Sequence, residues 1–236
     1  MRILGNIHKL CRVLLGVAFF TLHSSLFTSC TQDNYDKGEG EYSLMRADFV
    51  EAHVGNDQRV DYVVTDDGDS LAAEPHFTTK AIETADTTYR AILYYNKVKG
   101  SAGLPVVEAK GMSIVPTLVP ALPELLGSLK TDPVKFESIW IGANRRYINA
   151  SIILMTGTDN TEEYQYQSIA IINDQLITHV DGKRTLCCRL FHDQSGVPEY
   201  YSIQRYFSIP IQSLHADTLQ LTINTYDGVV VKRISL

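Results

Sequence analysis

The feature that most constrains the fold is a succession of short segments rich in Val, Ile, Tyr and Thr, with no long stretch that keeps the apolar period of a helix. Branched and aromatic side chains of this kind pack well on a pleated surface and favour strands. The expected strands are 42–54, 59–65, 88–99, 105–118, 135–140, 147–156, 164–172, 185–192, 200–209, 218–226 and 229–236. Short helical turns are expected at 79–84 and 121–129. The sequence therefore predicts a mostly-β fold.

Three Asp-Gly pairs indicate tight turns. A two-residue loop of this composition matches the twist of a β-hairpin, because Gly readily adopts a positive φ. Asp67-Gly68, Asp181-Gly182 and Asp227-Gly228 are the predicted loops. The last of them predicts a C-terminal hairpin that ends the chain inside a sheet.

Prolines and glycine divide the chain after residue 115. Pro116, Pro120, Pro123, Gly127 and Pro133 follow one another at a density that stops a strand ladder and stiffens a connection. With 236 residues, 44% of them hydrophobic, the chain can bury two cores. The spacing predicts an N-terminal domain at 42–118 that suits a small closed barrel, a linker at 119–132 and a C-terminal β-sandwich at 133–236.

The N-terminus has the pattern of a secretory signal. Arg2, Lys9 and Arg12 are the charged residues before Cys30, and residues 13–20 form a short, almost wholly apolar run. Polar residues at 23–25 interrupt that run before it reaches the roughly 20 residues that a membrane-spanning helix needs. We therefore expect residues 1–29 to be a signal peptide.

Cys30 lies where the apolar run meets a polar segment. Residues 26–29, Leu-Phe-Thr-Ser, supply bulky apolar and then small side chains, the pattern that a lipoprotein peptidase requires before a lipid-modified cysteine. An ordinary signal peptide followed by a structural cysteine is the alternative, but residues 30–41 form a polar tether with little apolar surface to pack on. The expectation is lipidation at Cys30 and a palmitate-bearing membrane anchor.

The composition of the tether and of the mature chain bears on location and partners. Acidic Asp33 and Asp36 in the tether, and a residue other than Asp after Cys30, favour the outer membrane, on its periplasmic or surface face. After signal removal, 18 basic residues face 27 acidic ones, a net charge of −9. Such a body repels phosphate backbones, and the basic residues beyond the tether cluster only as scattered doublets. Nucleic acid is therefore excluded as a partner.

Several motifs together resemble NigD-like lipoproteins of Gram-negative gut anaerobes. They are the segment after the tether at 40–52, Asp-Pro-Val at 132–134, Ser-Ile-Trp at 138–140, Tyr-Ile-Asn at 147–149, Phe-His at 191–192 and Tyr-Phe-Ser-Ile-Pro at 206–210. The resemblance implies an N-terminal OB-like barrel followed by a C-terminal β-sandwich. The family name derives from a bacteriocin locus, which suggests immunity, and the family pattern assigns no catalytic residue. The Arg145-Arg146 doublet and a cysteine pair depart from that pattern.

Residues 66–69, Asp-Asp-Gly-Asp, place carboxylates around a glycine as a calcium loop does. An EF-hand requires a bidentate Glu at the twelfth position, and that position counted from Asp66 is Phe77. A solvated hairpin turn is therefore favoured, with a surface calcium site as the alternative.

Cys187 and Cys188 are adjacent on a predicted strand, so their side chains point to opposite faces. Leu186, Cys188 and Leu190 alternate as an inward set, which indicates that Cys188 belongs to the core. A vicinal disulfide or a reactive thiol is the less favoured interpretation.

The histidines favour neither a metal site nor a triad. Residues 53, 76, 179, 192 and 215 lack metal-ligand spacing. His192 beside Asp193 and near Ser195 is half of a hydrolase triad, but no Gly-x-Ser-x-Gly motif accompanies it. We expect no catalytic residue, no metal and no cofactor.

Tyrosine is abundant in the predicted strands. Such residues stabilise sheets through cross-strand pairs, and exposed rows of them bind sugars or proteins. The set comprises Tyr89, Tyr94, Tyr95, Tyr147, Tyr164, Tyr166, Tyr200, Tyr201 and Tyr206. Cross-strand packing is the favoured interpretation.

The functional expectation is a non-enzymatic, lipid-anchored protein of the cell envelope that binds a secreted peptide, protein or glycan. Immunity against a peptide toxin is its most specific form. A glycan-binding accessory lipoprotein of the outer membrane is the second hypothesis, because OB-like and sandwich folds are frequent carbohydrate scaffolds. An envelope hydrolase is the third, and it would require His192 to meet a nucleophile.

Overall fold

The structure is a computed structural model that describes residues 40, 43–125, 127, 129–158 and 166–236. The expected signal peptide, Cys30 and all of the expected tether except Gly40 lie outside the described residues. Residues Leu44–Leu236 form one compact unit. Within the described ranges, no helix has the length and hydropathy that a membrane span requires.

The first part of the compact unit is a closed barrel. Its strands follow the order β1-β2-β3-β5-β4, and β4 pairs back onto β1. β3 and β5 are parallel, whereas the other neighbours are antiparallel. The strands are β1 Arg46–Val54, β2 Val60–Thr65, β3 Ser70–Phe77, β4 Thr87–Lys99 and β5 Pro105–Ile114. This order is that of an OB-like barrel.

Alternation along the barrel strands decides which side chains fill it. Val50 and Ala52 on β1, and Leu93 and Tyr95 on β4, point into the barrel and are fully buried. The residues between them point outward. Arg90 is one of these outward residues and is nevertheless buried, because the rest of the molecule covers the outer face of β1 and β4.

The second part is a β-sandwich built from a three-stranded sheet, β10-β7-β6, and a four-stranded sheet, β12-β11-β9-β8. β9 and β11 are parallel. The strands are β6 Lys135–Ile141, β7 Tyr147–Thr156, β8 Ser168–Thr178, β9 Arg184–Asp193, β10 Tyr201–Pro210, β11 Thr218–Thr225 and β12 Gly228–Ser235. Alternate residues of both sheets, among them Ile152, Phe207 and Leu221, form the sandwich core. The predicted fold class, a mostly-β chain with an OB-like barrel followed by a β-sandwich, is confirmed.

The proline-rich segment between the two parts adds short edge pairings to the sandwich. Leu118 N donates to Ser208 O at 2.8 Å, and Val134 N donates to Asn224 O at 3.1 Å. β5 therefore ends at Ile114 and not at the predicted residue 118. The predicted helix at 121–129 is a 3-10 turn at Pro123–Leu125, and residues 79–84 are not helical.

The sequence prediction missed one strand, β3. β3 contains Ala72, Ala73 and Pro75, which are poor strand formers, and it pairs through backbone hydrogen bonds with β2 and β5. β8 extends to Thr178, beyond the predicted end at residue 172.

The three Asp-Gly hairpins exist, but their loops were predicted one residue too late. Gly68 N and Gly182 N donate to Thr65 O and His179 O, both at 2.9 Å, and these glycines have φ values of 93° and 82°. In the third hairpin, Thr225 pairs with Gly228. Each glycine thus follows the central turn residues and has a positive φ. The first two loops have three residues and end at this glycine, as in a hairpin with a bulge, whereas the third has two residues. The central turn residues are 66–67, 180–181 and 226–227.

Candidate functional site

A buried arginine, Arg90, projects from the outer face of β4 onto the outer face of the sandwich sheet β10-β7-β6. Its Nη2 donates to Asp66 Oδ2 at 2.7 Å and to Asn149 Oδ1 at 2.9 Å. Its Nε donates to Ser208 Oγ at 3.1 Å. Asn149 Nδ2 in turn donates to Asp66 Oδ2 at 2.7 Å. The barrel and the sandwich are therefore joined by a buried, charge-compensated hydrogen-bond network.

The turn that carries Asp66 docks onto the loop between β6 and β7. Asn144 N donates to Asp66 O at 2.7 Å, and Asn144 Nδ2 donates to Thr65 O at 3.0 Å. A Cβ added to Gly142 would lie 2.8 Å from the Asp66 carboxylate, so the close approach requires glycine. The prediction of a solvated turn is wrong for Asp66, whose side chain is 14% exposed, but holds for Asp67 and Asp69, at 67% and 50%.

Aromatic rings make a second connection between barrel and sandwich. The ring of Phe49, on β1, lies edge-to-face against Trp140 and against Tyr206, with centroid distances of 5.5 Å in both pairs. The Arg90 guanidinium lies over the rings of Phe49 and Tyr147, at 5.3 and 4.2 Å from their centroids. Phe49 is thus wedged between the side chains of Trp140 on β6 and Tyr206 on β10.

Glu51 is held beside this junction. Tyr147 OH donates to Glu51 Oε1 at 2.8 Å, and Arg146 forms an ion pair with the same carboxylate. Burial, and then the hydrogen bond to Glu51, raise the pKa of Tyr147 to about 12. Arg146 of the Arg145-Arg146 doublet thus has a structural role.

A groove of about 410 Å³ opens at the same junction, between β4 and β5 of the barrel and the edge of the sandwich. Its volume lies in the range of sites that bind small ligands and short peptide segments. The lining residues share apolar or aromatic character, with a few polar groups among them. They are Ile92, Tyr94, Ser113, Ile114, Val115, Pro116, Leu154, Gln167, Ile169, Gln204, Arg205 and Tyr206.

Two glutamines of the groove are held in place, whereas Arg205 is not. Gln204 Nε2 donates to Glu137 Oε2 at 2.6 Å, and Gln167 Nε2 donates to the Met155 carbonyl at 2.7 Å. Arg205 is exposed, and no carboxylate of the described part of the chain pairs with it. The groove therefore offers a cation to whatever enters it.

The residues that the hydrolase alternative would require do not come together in the described part of the chain. His192 is 1% exposed, and its Nδ1 lies 3.1 Å from the Asp132 carbonyl oxygen. Its Nε2 lies 3.4 Å from Gln167 Oε1. Ser195 instead donates its backbone N–H to Asp193 at 2.8 Å in the following loop. The imidazole thus contacts a backbone carbonyl and an amide, and not a serine hydroxyl.

Both cysteines of the pair are buried and unbridged. Cys188 lies in the sandwich core with Leu186 and Leu190, as predicted. Burial raises the pKa of its thiol to about 12, which keeps it protonated and unreactive. Cys187, on the opposite face of β9, is also covered.

The described ranges contain no cluster of side chains that would support a calcium site or another metal site. No group of three or more His, Cys, Asp or Glu side chains there is placed to hold a metal ion. The residues of the 66–69 turn have other partners: Asp69 forms an ion pair with Lys97 at 2.7 Å, and Asp67 lies 3.7 Å from Arg46.

The tyrosines separate into two groups. Tyr95 is fully buried in the barrel, and Tyr89 OH accepts the backbone N–H of Thr84 at 2.9 Å. Tyr166, Tyr200 and Tyr201 are exposed, and Tyr164 lies outside the described residues. Tyr94 and Tyr206, which line the groove, were not distinguished from the others by the sequence.

Fold and groove define a class: a mostly-β protein in which an OB-like barrel is joined to a β-sandwich by a buried hydrogen-bond network. No protein-family model matches the sequence, and no curated protein matches it. Solved structures do. A NigD-like immunity protein from Bacteroides caccae ATCC 43185 is 23% identical with a TM-score of 0.61, and the match covers 79% of this chain and 91% of that one.

Two further structures have the same fold. A putative toxin-related protein from Parabacteroides distasonis ATCC 8503 is 17% identical with a TM-score of 0.59, covering 81% of this chain and 93% of that one. A putative lipoprotein from Bacteroides fragilis NCTC 9343 is 11% identical with a TM-score of 0.51, covering 80% and 96%. The resemblance to NigD-like lipoproteins is confirmed at the level of the fold.

Proposed function

We propose that this protein is a non-enzymatic, lipid-anchored binding module of the cell envelope, and that the groove between barrel and sandwich holds a secreted partner. The groove carries the proposal: it presents Tyr94, Tyr206 and the unpaired Arg205 on walls that the Arg90 network and the Phe49 wedge keep in place. A preformed site of this kind binds with little loss of conformational entropy.

Immunity against a peptide toxin is the most specific form of the proposal. The Bacteroides caccae protein is described as a NigD-like immunity protein and the Parabacteroides distasonis protein as toxin-related, which supports this form. An immunity protein at the outer membrane would meet a secreted toxin before the toxin reaches its target.

A toxin-challenge assay tests the immunity form. A deletion strain complemented with wild type is expected to survive a peptide toxin from a neighbouring strain, whereas complementation with the groove variant Arg205→Ala is expected to fail. Tyr62→Ala, an exposed tyrosine of the barrel outside the groove, is the matched control and should complement. Equal survival of the deletion strain and the wild type would overturn the immunity form.

Anchoring is tested by metabolic labelling with a palmitate analogue. Label is expected on wild type and on Cys11→Ser, the control within the signal segment, but not on Cys30→Ser. The Cys30→Ser product should also leave the detergent-extracted fraction. An unlabelled wild type would refute the anchor. If the wild type is labelled, fractionation of the cells shows whether the labelled protein lies in the outer or the inner membrane.

The glycan alternative has one specific observation in its favour. Tyr94 and Tyr206 line the groove together with the amides of Gln167 and Gln204, and rings combined with amides are typical of sugar sites. A glycan array probed with wild type and with Tyr94→Ala decides it. Hits that the variant loses would favour this alternative, and an array without hits would remove it.

A further inference from the structure

One wall of the groove is the edge of a sheet. β10 is an outer strand of its sheet and pairs with β7 along one side only. At Ser208 the opposite side is occupied, because Ser208 N donates to Pro116 O at 2.9 Å and Leu118 N donates to Ser208 O at 2.8 Å. Main-chain groups alternate in direction along a strand. The N–H and C=O groups of Gln204 and Tyr206 therefore face the same free side as those of Ser208.

The connecting segment does not continue this pairing toward Gln204. Val115 N donates to the Arg90 carbonyl of β4 at 2.8 Å, so the chain turns away from β10 at Pro116 and follows the barrel. Among the described residues, no backbone group pairs with the free side of Gln204 or Tyr206. The groove is the space between β10 and the segment before Pro116 that follows the barrel, and the unpaired edge of β10 lies within it.

We infer that the groove binds an extended acidic peptide by strand addition to β10, with a carboxylate of the peptide paired to Arg205. This inference rests on the proposed function and names its ligand. The peptide backbone would extend the short ladder that residues 116–118 already form at Ser208. Strand addition of this kind gains affinity from the main chain and specificity from alternate side chains.

The side chains around the edge define what the peptide must carry. Gln204 and Tyr206 point toward the barrel, whereas Arg205 points to the other face of the strand, beside Leu154 and Ile169. An acidic side chain that reaches Arg205 would find the partner that the described residues do not supply. Apolar side chains at neighbouring positions would contact the aliphatic lining.

A peptide fits these observations better than the other occupants do. A glycan has no repeating N–H and C=O groups that could pair with the strand edge. The rings and amides of the groove suit a glycan as well as a peptide, but the unpaired strand edge suits only a peptide. A second copy of the chain would have to insert a strand between the barrel wall, with Ile92 and Ile114, and β10. A single extended segment meets that constraint more readily.

The first experiment screens a displayed library of random eight-residue peptides against the full-length protein in detergent. Enriched peptides are expected to contain Asp or Glu, and Arg205→Ala is expected to weaken their binding about tenfold or more, because hydrogen bonds to charged groups are strong. Enrichment of peptides without acidic residues, or unchanged binding by Arg205→Ala, overturns the acidic assignment.

A pair of variants isolates the strand edge. Gln204→Pro removes the N–H that faces the groove, whereas Gln204→Ala removes the same side chain and keeps the N–H. Gln204→Pro is expected to weaken peptide binding at least about tenfold more than Gln204→Ala does. If Gln204→Pro fails to fold, the same test is made on the wild-type protein with peptides that carry N-methyl groups at alternate residues, which removes the peptide N–H donors on one side of the strand. Loss in one register and retention in the other supports strand addition, and equal effects of both registers refute it.

Two controls separate this inference from the proposed function. Polygalacturonate, an acidic glycan, serves as the second probe, and binding to it without any enriched peptide would overturn the peptide inference but keep a binding groove. A dimer in light scattering that Gln204→Pro dissociates would assign the edge to a second copy and refute the inference. If neither probe binds and Arg205→Ala complements in the toxin assay, the proposed function fails as well.

Discussion

Two arginines at the same junction have opposite environments. Arg90 is 5% exposed and contacts Asp66, Asn149 and Ser208, so its charge is used within the molecule. Arg205 is exposed in the groove and has no carboxylate partner in the described ranges. A buried cation must be compensated on the spot, whereas an exposed one remains available to a ligand. The first therefore serves attachment of barrel to sandwich, and the second is the residue to which the proposed function gives a role in recognition.

The largest expected effect follows from removing the buried cation. Arg90→Ala leaves the Asp66 carboxylate without its cationic partner, and loss of one member of a buried pair destabilises a protein by about 3–5 kcal/mol. Urea denaturation of the variant measures this change in the free energy of unfolding. A double variant, Arg90→Met with Asp66→Asn, should recover part of the loss. A single variant as stable as wild type would contradict the structural role of Arg90.

The aromatic wedge should give the next largest effect. Phe49→Ala removes two edge-to-face contacts and opens a cavity at the junction, with an expected loss of about 2–3 kcal/mol. Thermal and urea unfolding measure the loss. Tyr94→Ala is the control, since Tyr94 is 38% exposed, and should cost about 0.5 kcal/mol. Similar losses for the two variants would show that Phe49 does not act as a wedge.

A smaller, pH-dependent effect is expected beside the groove. Hydrogen bonds from Ser151 and Gln204 hold the pKa of Glu137 below its usual value of 4.5. A carboxyl with a lowered folded-state pKa contributes stability above its unfolded pKa and loses it as the pH falls through the folded-state pKa. The difference in stability between wild type and Glu137→Gln should thus be full at about pH 6–7 and shrink below about pH 4.5. A difference that stays constant across urea titrations at these pH values would refute this linkage.

The smallest effect on stability is expected at the recognition arginine. Arg205→Ala should change the free energy of unfolding by no more than about 0.5 kcal/mol, because an exposed side chain without a partner contributes little to the fold. The same urea series that includes Arg90→Ala gives the measurement. A loss comparable to that of Arg90→Ala would erase the contrast between the two residues and remove Arg205 from the recognition site.

Much of the fold could be predicted because alternation of side chains is a local property. The pattern indicated most strands and placed Cys188 inward, where the structure has it. β3 was missed because Ala72, Ala73 and Pro75 carry no strand signal, and the strand exists through its neighbours in the barrel. The hairpin turns were placed one residue late because an Asp-Gly pair suits the two central positions of a tight turn, whereas here each glycine follows those positions.

The candidate site was less predictable for the same physical reason. Alternation places Arg90 on the outside of the barrel, where a charged residue ordinarily faces water, and no local signal marks it as buried. Its contact with Ser208 joins residues that lie 118 positions apart in the chain. Arg205 and Tyr94 likewise acquire meaning only when β4 and β10 come to face one another across the groove.

The sequence by itself determined the mostly-β architecture, and it led to the expectations of a division at the prolines and of a lipid anchor at Cys30, since strand periodicity, turn chemistry and a cleavage pattern depend on neighbouring residues. The OB-like barrel was implied by the resemblance to NigD-like lipoproteins. Only the tertiary structure decided that Arg90 is buried among fixed partners and that Arg205 is exposed in the groove. Burial and pairing depend on contacts with residues that are distant in the chain, and local sequence patterns do not show which distant residues will pack against a given strand.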